Sequence, residues 1–355
     1  MKRFKSIVLA VVALVVVVSL GAPSPASAQS SASLSIVPKK NYIVDPGETI
    51  KDKLLIRNVD SNQDLQLNLR VIDFTYTDDG GTPKLMLDED SQPTTWSLRP
   101  YLKIPRSTQI NAGGNKSLDI SVTLPEGLGA GSYYSAIIYS TGAPDGGNVG
   151  LSASGVTLVF VTVPGKVNED LTLKKIGSYD IEKSKFSYIN MNEPRAIAYT
   201  VENKGNVTEA PAGTIKLRNW FGQEYNINDV NPNGSLALIG QTRTFTACIK
   251  LKTTEVNLRN NAAATANSCD SAGLWPGLYF TSAELYYGQN GNLTKELRGS
   301  GHFWYLPLWF LIALSIILLI VAFYIWRIVV YVRGGSFKLG GTPRGASRRR
   351  SSRRR

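Results

Sequence analysis

One histidine, two cysteines and three methionines in 355 residues leave little material for metal or nucleophile chemistry. The histidine, His302, lies in Gly301-His302-Phe303-Trp304, so any Ser/His or Cys/His arrangement would have to use it. No G-x-S-x-G, H-E-x-x-H or phosphate-binding glycine motif occurs, and without C-x-x-C a thiol redox site is not expected. Glycosidases can work with carboxylates alone. The acidic clusters Asp78-Asp79 and Asp88-Glu89-Asp90, however, sit in polar, turn-like sequence without the spacing and glycine of an EF-hand. They read as solvated turns, and no enzyme activity, metal or cofactor is expected.

Charge is absent from Leu306–Trp326, 21 residues that reach roughly 30 Å as a helix, enough for a bilayer core. Trp304, Trp309 and Trp326, with Arg327, form the expected membrane-interface set, because amphipathic rings favour the headgroup layer. Acidic residues are absent from 327–355, which carries ten Lys and Arg. Residues 1–28 add Lys2, Arg3 and Lys5, so of 39 basic residues 26 remain for 29–326, against 27 acidic ones. The formal charge of +12 therefore belongs to the ends, and the body is nearly neutral.

At the N-terminus the positive start, the apolar run Ile7–Leu20 and Ala26-Ser27-Ala28 have the layout of a secretory signal peptide, 1–28. Ser30–Ser33 reads as a short leader. Signal, single span at 306–326 and Arg-rich tail at 327–355 together predict a cell-membrane protein crossing once. Its large N-terminal part is expected outside and its tail in the cytoplasm. The tail predicts disorder and contact with the anionic inner leaflet. No aromatic residue is interleaved among its arginines for base stacking, so no nucleic-acid partner is expected.

Between signal and span the sequence reads as all-β. Leu65–Val71 and Leu118–Leu124 alternate strictly between apolar and polar residues, as half-buried antiparallel strands do. Ser132–Tyr139 and Val156–Val163 supply further strands, joined by a glycine-rich loop at 142–150. The predicted architecture is two tandem Ig-like β-sandwiches, 33–164 and 171–301, with Lys166–Asp170 as linker, plus one C-terminal transmembrane helix. A strand, an Asn-centred turn and a strand recur in both halves, around Asn58 and Asn203. In Thr242–Leu251 the apolar phase is Phe245, Ala247, Ile249 and Leu251, which turns Cys248 to the other face. Cys269 closes a polar loop, Thr253–Ser268. Exported thiols usually pair, and a bridge across 21 positions would add about 3 kcal/mol; two free thiols are the alternative.

Extracellular sandwiches bind with loops and edges. Candidates are the acidic loop Asp78–Asp90 and the aromatic-basic stretch Trp96–Arg106, where Trp96, Arg99, Tyr101, Lys103 and Arg106 are the side chains suited to anchor a sugar or protein partner. The competing reading makes Trp96, Tyr101 and Ile104 core residues flanked by solvated charges.

SLSIVPKKNYIVDPGETIKDKLLIRN, WSLRPYLKIPRSTQINAGGNKSLDISVTLPEG and GSYYSAIIYS resemble the extracellular domain of the WxL-interacting cell-surface proteins of Gram-positive bacteria. VENKGNVTEAPAGTIKLRN, GLWPGLYF and GHFWYLPLW resemble their second domain and the start of their span. The resemblance covers most of 33–326. It implies a pilus-chaperone-like immunoglobulin sandwich that binds peptidoglycan, followed by a second Ig-like domain. The segment bounded by Cys248 and Cys269 and the long Arg-rich tail depart from that pattern, and no sugar-site motif transfers. The expected function is non-enzymatic surface binding or adhesion, to cell wall or another surface protein. The alternative is an accessory subunit of a secretion, pilus or signalling assembly.

Overall fold

Alternating sequence becomes paired strand throughout the described residues, which in the computed structural model are 34–88, 92–141, 153–257, 263–288 and 293–333. The signal and leader, the loop 142–150, Glu89-Asp90 and the tail from 334 lie outside them. The chain divides into two compact units, Met1–Thr75 with Pro83–Lys166, and Tyr76–Thr82 with Val167–Arg355.

The first unit contains β1 (Leu34–Ile36), β2 (Lys39–Ile43), β3 (Thr49–Asn58), β4 (Leu65–Ile72), β5 (Phe74–Tyr76, whose last residue counts with the second unit), β6 (Pro83–Leu85), β7 (Leu102–Lys103), β8 (Ser107–Ile110), β9 (Asn115–Thr123), β10 (Gly131–Ser140) and β11 (Ala153–Val163). They form a four-stranded sheet, β1-β3-β9-β7, facing a five-stranded one, β2-β11-β10-β4-β8. Inward residues of both sheets, among them Leu54, Ile56, Leu67, Ile120, Ile137 and Val161, make one apolar core. β2 runs parallel to β11, whereas the other pairings are antiparallel. The first strand region is thus divided between two sheets, an immunoglobulin-like arrangement.

The second unit repeats this wiring with β12 (Leu171–Asp180), β13 (Lys185–Phe186), β14 (Ile189–Asn190), β15 (Ala196–Asn203), β16 (Ala212–Asn219), β17 (Glu224–Ile227), β18 (Thr242–Cys248), β19 (Lys250–Asn257), β20 (Ala263–Asp270), β21 (Gly277–Tyr287) and β22 (Lys295–Tyr305). Its sheets are β13-β12-β15-β18 and β14-β22-β21-β16-β17, and β14 is parallel to the last strand as β2 is in the first unit. The buried Asn58 and Asn203 end β3 and β15. Asn58 Nδ2 donates to Gln63 O (2.7 Å), and its Oδ1 accepts from Asp60 N–H (3.0 Å). Asn203 Nδ2 donates to Val207 O and Ala237 O (2.7 and 3.0 Å), and its Oδ1 accepts from Gly205 N–H (2.9 Å). Each side chain stands in for the backbone partners that its turn lacks.

Two elements differ from expectation. The stretch Thr242–Leu251 is broken at the buried Ile249, and its end starts a separate hairpin, β19–β20, where a polar loop was expected. Polar, Thr-rich alternation suits a two-stranded ribbon wet on both faces, which an apolar-phase reading passes over. Cys248 ends β18, and its disulfide to Cys269 staples this hairpin to the sandwich. The helix α1 spans Leu308–Val332 rather than 306–326, with Pro307 as its N-cap residue. Trp326 and Arg327 therefore lie inside it, followed by the apolar Ile328–Val332. A single Arg does not end a helix, because its long stem lets the charge reach the water boundary. At 25 residues, about 38 Å long, α1 is long and apolar enough to cross a membrane.

Candidate functional site

Strand β3 reads TIKDKLLIRN, and its inward positions Leu54 and Ile56 are in the core. The pleat turns Lys51, Lys53, Leu55 and Arg57 outward, about 6.6 Å apart in sequence along the strand, and all are exposed. Antiparallel register sets Arg57 opposite Asn115, Leu55 opposite Ser117, Lys53 opposite Asp119 and Lys51 opposite Ser121. Lys103 on β7 pairs with the same Ser121 from the other side. Lys51 and Lys103 therefore flank one serine, about 10 Å apart across two strand spacings. The outer face of this sheet carries four cations and one carboxylate, Asp119, whose Oδ1 lies 4.0 Å from Lys53 Nζ. Ser35, Thr49, Asn115, Ser117, Ser121 and Thr123 fill the rest with small polar groups.

The opposite sheet shows no such open face. Every residue of β10 from Gly131 to Tyr139 is buried, and Phe74, Tyr134 and Phe160 form a ring cluster with centroids 5.3–5.9 Å apart. At the rim, Asp52 accepts hydrogen bonds from Lys40 Nζ (2.7 Å) and Tyr42 Oη (2.6 Å). These bonds, Lys40's first, hold its carboxyl down at about 2, and burial, then Asp52, push the Tyr42 phenol up.

The five residues expected to bind are separated by the fold. Trp96 is half-buried with its ring 6.4 Å from Tyr133, and Tyr101 packs half-buried against the core. The cause is Asp73, which is buried and accepts from Ser97 Oγ (2.6 Å) and Ser135 Oγ (3.0 Å), pinning this segment to β10. Arg99 is half-buried. Lys103 and Arg106 are exposed, but only Lys103 lies on the basic face; Arg106 gives its carbonyl to Leu69 N–H beside the other sheet. Lys51, Lys53 and Arg57 were not singled out from sequence, although period-two spacing of cations in 51–57 was the signal that marks them.

In the acidic loop, Asp78 accepts from Thr82 N–H (3.1 Å) and Thr82 Oγ1 (2.8 Å), which keeps its carboxyl below the usual range. In the second unit an open cleft of about 810 Å³ is bordered by Asp180, Lys183, Glu193 and Arg195. Two of its carboxylates, Asp180 and Glu193, are engaged. Asp180 accepts from Lys183 Nζ (2.9 Å), which holds its pKa down, and Glu193 accepts from Ser271 Oγ (2.5 Å) and Leu274 N–H (2.9 Å). His302 is exposed on β22, its ring 6.3 Å from that of Tyr188. Among the described residues no group of three His, Cys, Asp or Glu is placed to hold a metal ion.

No family model and no curated protein matches the chain, so the resemblance to WxL-interacting proteins rests on the quoted strings alone. Among solved structures, the class 5 fimbriae chaperone CfaA is 10% identical, with 78% of this chain and 100% of that chain covered and a TM-score of 0.33. A structure described as a chaperone-tip adhesin complex of CFA/I fimbriae biogenesis is 10% identical over 77% of this chain and 99% of that one, TM-score 0.34. The E. coli chaperone DraB is 13% identical over 66% and 98%, TM-score 0.31. At these scores the likenesses assign neither function nor partner.

Proposed function

We propose that the protein is a non-enzymatic, membrane-anchored surface protein whose first sandwich binds an anionic partner surface. Cell-wall polymer, whose peptides and phosphodiesters carry negative charge, is the ligand class that fits. The observation that carries this reading is the flat face of Lys51, Lys53, Arg57 and Lys103 on a body of almost no net charge. Segregated cations raise the local concentration of polyanions and make binding sensitive to salt. In this reading the signal peptide directs export, α1 anchors the chain, and the sandwiches lie outside.

The test is retention of the full-length, detergent-solubilised protein on insoluble peptidoglycan. Wild type should bind at about 50 mM salt and lose most binding by roughly 0.5 M, where the Debye length falls to a few Å. Reversal of Lys51, Lys53, Arg57 and Lys103 to Glu should lower retention by about tenfold or more. Equal retention of the two proteins would overturn the reading.

One observation favours a second reading, the assembly subunit. Strand β9 pairs with β3 along its whole length, but with β7 only at Ser121 and Val122. Among the described residues no strand covers its other edge from Asn115 to Ile120, and an open edge can accept a partner's strand. A partner strand would protect those amides from hydrogen exchange, whereas polymer held by lysine side chains would not.

A further inference from the structure

The second sandwich ends, on the side of α1, in three segments that carry no charged residue: Asn219–Gly222 (NWFG), Ala272–Gly277 (AGLWPG) and Tyr188–Asn192 (YINMN). Apart from the buried Leu274, their large side chains point into solvent. Trp220, Phe221, Trp275, Ile189 and Met191 are 61–71% exposed, and Tyr188 is 59% exposed. Six large apolar or aromatic residues at one end of a domain form a patch that water alone does not favour.

Register places these segments at one level. Ile189 and Asn190 pair with Trp304 and Tyr305, and Asn190 O accepts from Leu306 N–H (2.8 Å), which puts Met191 just beyond. Gly277 pairs with Tyr305, so Trp275 also extends past the sheet. Trp220 N–H donates to Leu278 O (3.2 Å), and its ring lies 6.2 Å from that of Trp304. The chain then needs only Leu306 and Pro307 to reach α1 at Leu308. From Tyr305 to Leu308 the chain makes three steps, at most about 11 Å when extended, and the headgroup layer is itself about 6 Å deep on each side. A covalent tether this short keeps the end of β22, and the three segments level with it, close to the start of α1.

We propose that Trp220, Phe221, Trp275, Tyr188, Ile189 and Met191 form a lipid-contact rim that seats the second sandwich in the interfacial layer beside its own span. Tryptophan and tyrosine are the residues that favour this layer. The three loops carry no charge themselves, and of the charged groups bordering the cleft beside Ile189 and Met191, Asp180 and Glu193 are held in hydrogen bonds to Lys183 and Ser271. The opposite end of the same unit lacks this character: Lys204 and Lys295 lie there, with Lys204 N–H bonded to Asp170 O (2.8 Å) and Lys295 Nζ to Glu169 O (2.6 Å). The inference rests on α1 being a membrane span.

Both native cysteines are in the disulfide, so one introduced cysteine can be labelled specifically without reductant. The full-length variants Phe221→Cys, Trp275→Cys and, as control, Lys204→Cys carry an environment-sensitive fluorophore in phosphatidylcholine vesicles. Emission at 221 and 275 should shift to the blue and be quenched at least twofold by lipids spin-labelled at the headgroup, with no change at 204. Retention in the vesicles at alkaline pH reports on the span separately. Retained protein with water-like emission at both rim positions would overturn the rim and leave the span. Blue-shifted emission untouched by lipid quenchers would mean that protein, such as a second copy, covers the face, and would overturn it as well. Alkaline release would overturn the span and the rim together.

Discussion

The outward positions of β3 are Lys51, Lys53, Leu55 and Arg57, all exposed; on β15, the equivalent strand of the second unit, they are Ala196, Ala198, Thr200 and Glu202. The first three of these are buried, Ala196 and Ala198 completely. Inward, the two strands are alike, Leu54 and Ile56 in one and Ile197, Tyr199 and Val201 in the other. The shared strand order β1-β3-β9 and β12-β15-β18 therefore carries two uses of the outer sheet face. On β3 it is a solvated basic row, and on β15 it is a row of small residues flanked by Tyr179 and Lys175 of β12. A pleated strand separates these roles cleanly, because successive side chains point to opposite faces. The core can be kept while the outside changes.

The largest expected effect is at the position where the two units differ most. Ala198→Lys places an ammonium at a fully buried site and should cost about 3 kcal/mol or more, read as a lowered denaturation midpoint. A cost under about 1 kcal/mol would mean that the outer face of β15 is open, and the contrast with β3 would fail. Next come the two asparagines. Asn58→Ala and Asn203→Ala each leave buried backbone groups unpaired and should each cost about 2 kcal/mol. Markedly unequal losses would break the equivalence of the two turns.

The two units should also respond to pH in opposite directions. Glu209 in the second unit is 1% exposed; burial first, and then the nearby Glu169, raise its pKa to about 8. The folded unit keeps a proton that the unfolded chain releases near the ordinary value of 4.5. Stability from this group is thus full below about pH 4.5, falls as pH rises, and levels off above about pH 8. Glu209→Gln should flatten that slope and stabilise at pH 7 by on the order of 2 kcal/mol, measured from melting temperatures between about pH 4 and 9. Asp52 in the first unit has the opposite sign. Its folded pKa is lowered to about 2, so its contribution is present above about pH 4 and lost as pH falls towards 2. The smallest effect is that of Lys53→Ala, which leaves the core untouched and removes an exposed ammonium 4.0 Å from Asp119. It should change stability by less than about 0.5 kcal/mol, although binding of a polyanion weakens.

Much of the fold was legible in particular residues. The alternation in Leu65–Val71 and Leu118–Leu124 emerges as β4 and β9, with Leu67, Leu69, Leu118, Ile120 and Val122 turned to the core. The uncharged run at 306–326 becomes most of α1, and Cys248 and Cys269 pair. The apolar-phase rule failed at Lys250–Asp270, where the two strands form their own ladder and the disulfide ties Cys269 to the end of β18. The helix runs past the uncharged stretch to Val332, because a single Arg does not end it. The binding stretch was read from residue type alone. Trp96 and Tyr101 suit a ligand as well as a core, and nothing local says that Asp73, far back in the chain, holds their segment against β10.

Local sequence alone was enough for what depends on neighbours along the chain: strand period, turn positions, the apolar span and the segregation of charge to the ends. Tertiary structure decided what depends on register between distant strands. It set Lys51 and Lys103, more than fifty positions apart, on either side of Ser121, and it brought Trp220 and Trp275 to the level where β22 passes into α1. A pleat tells which residues of one strand share a face. Only the hydrogen-bonded ladder tells which strands share it with them.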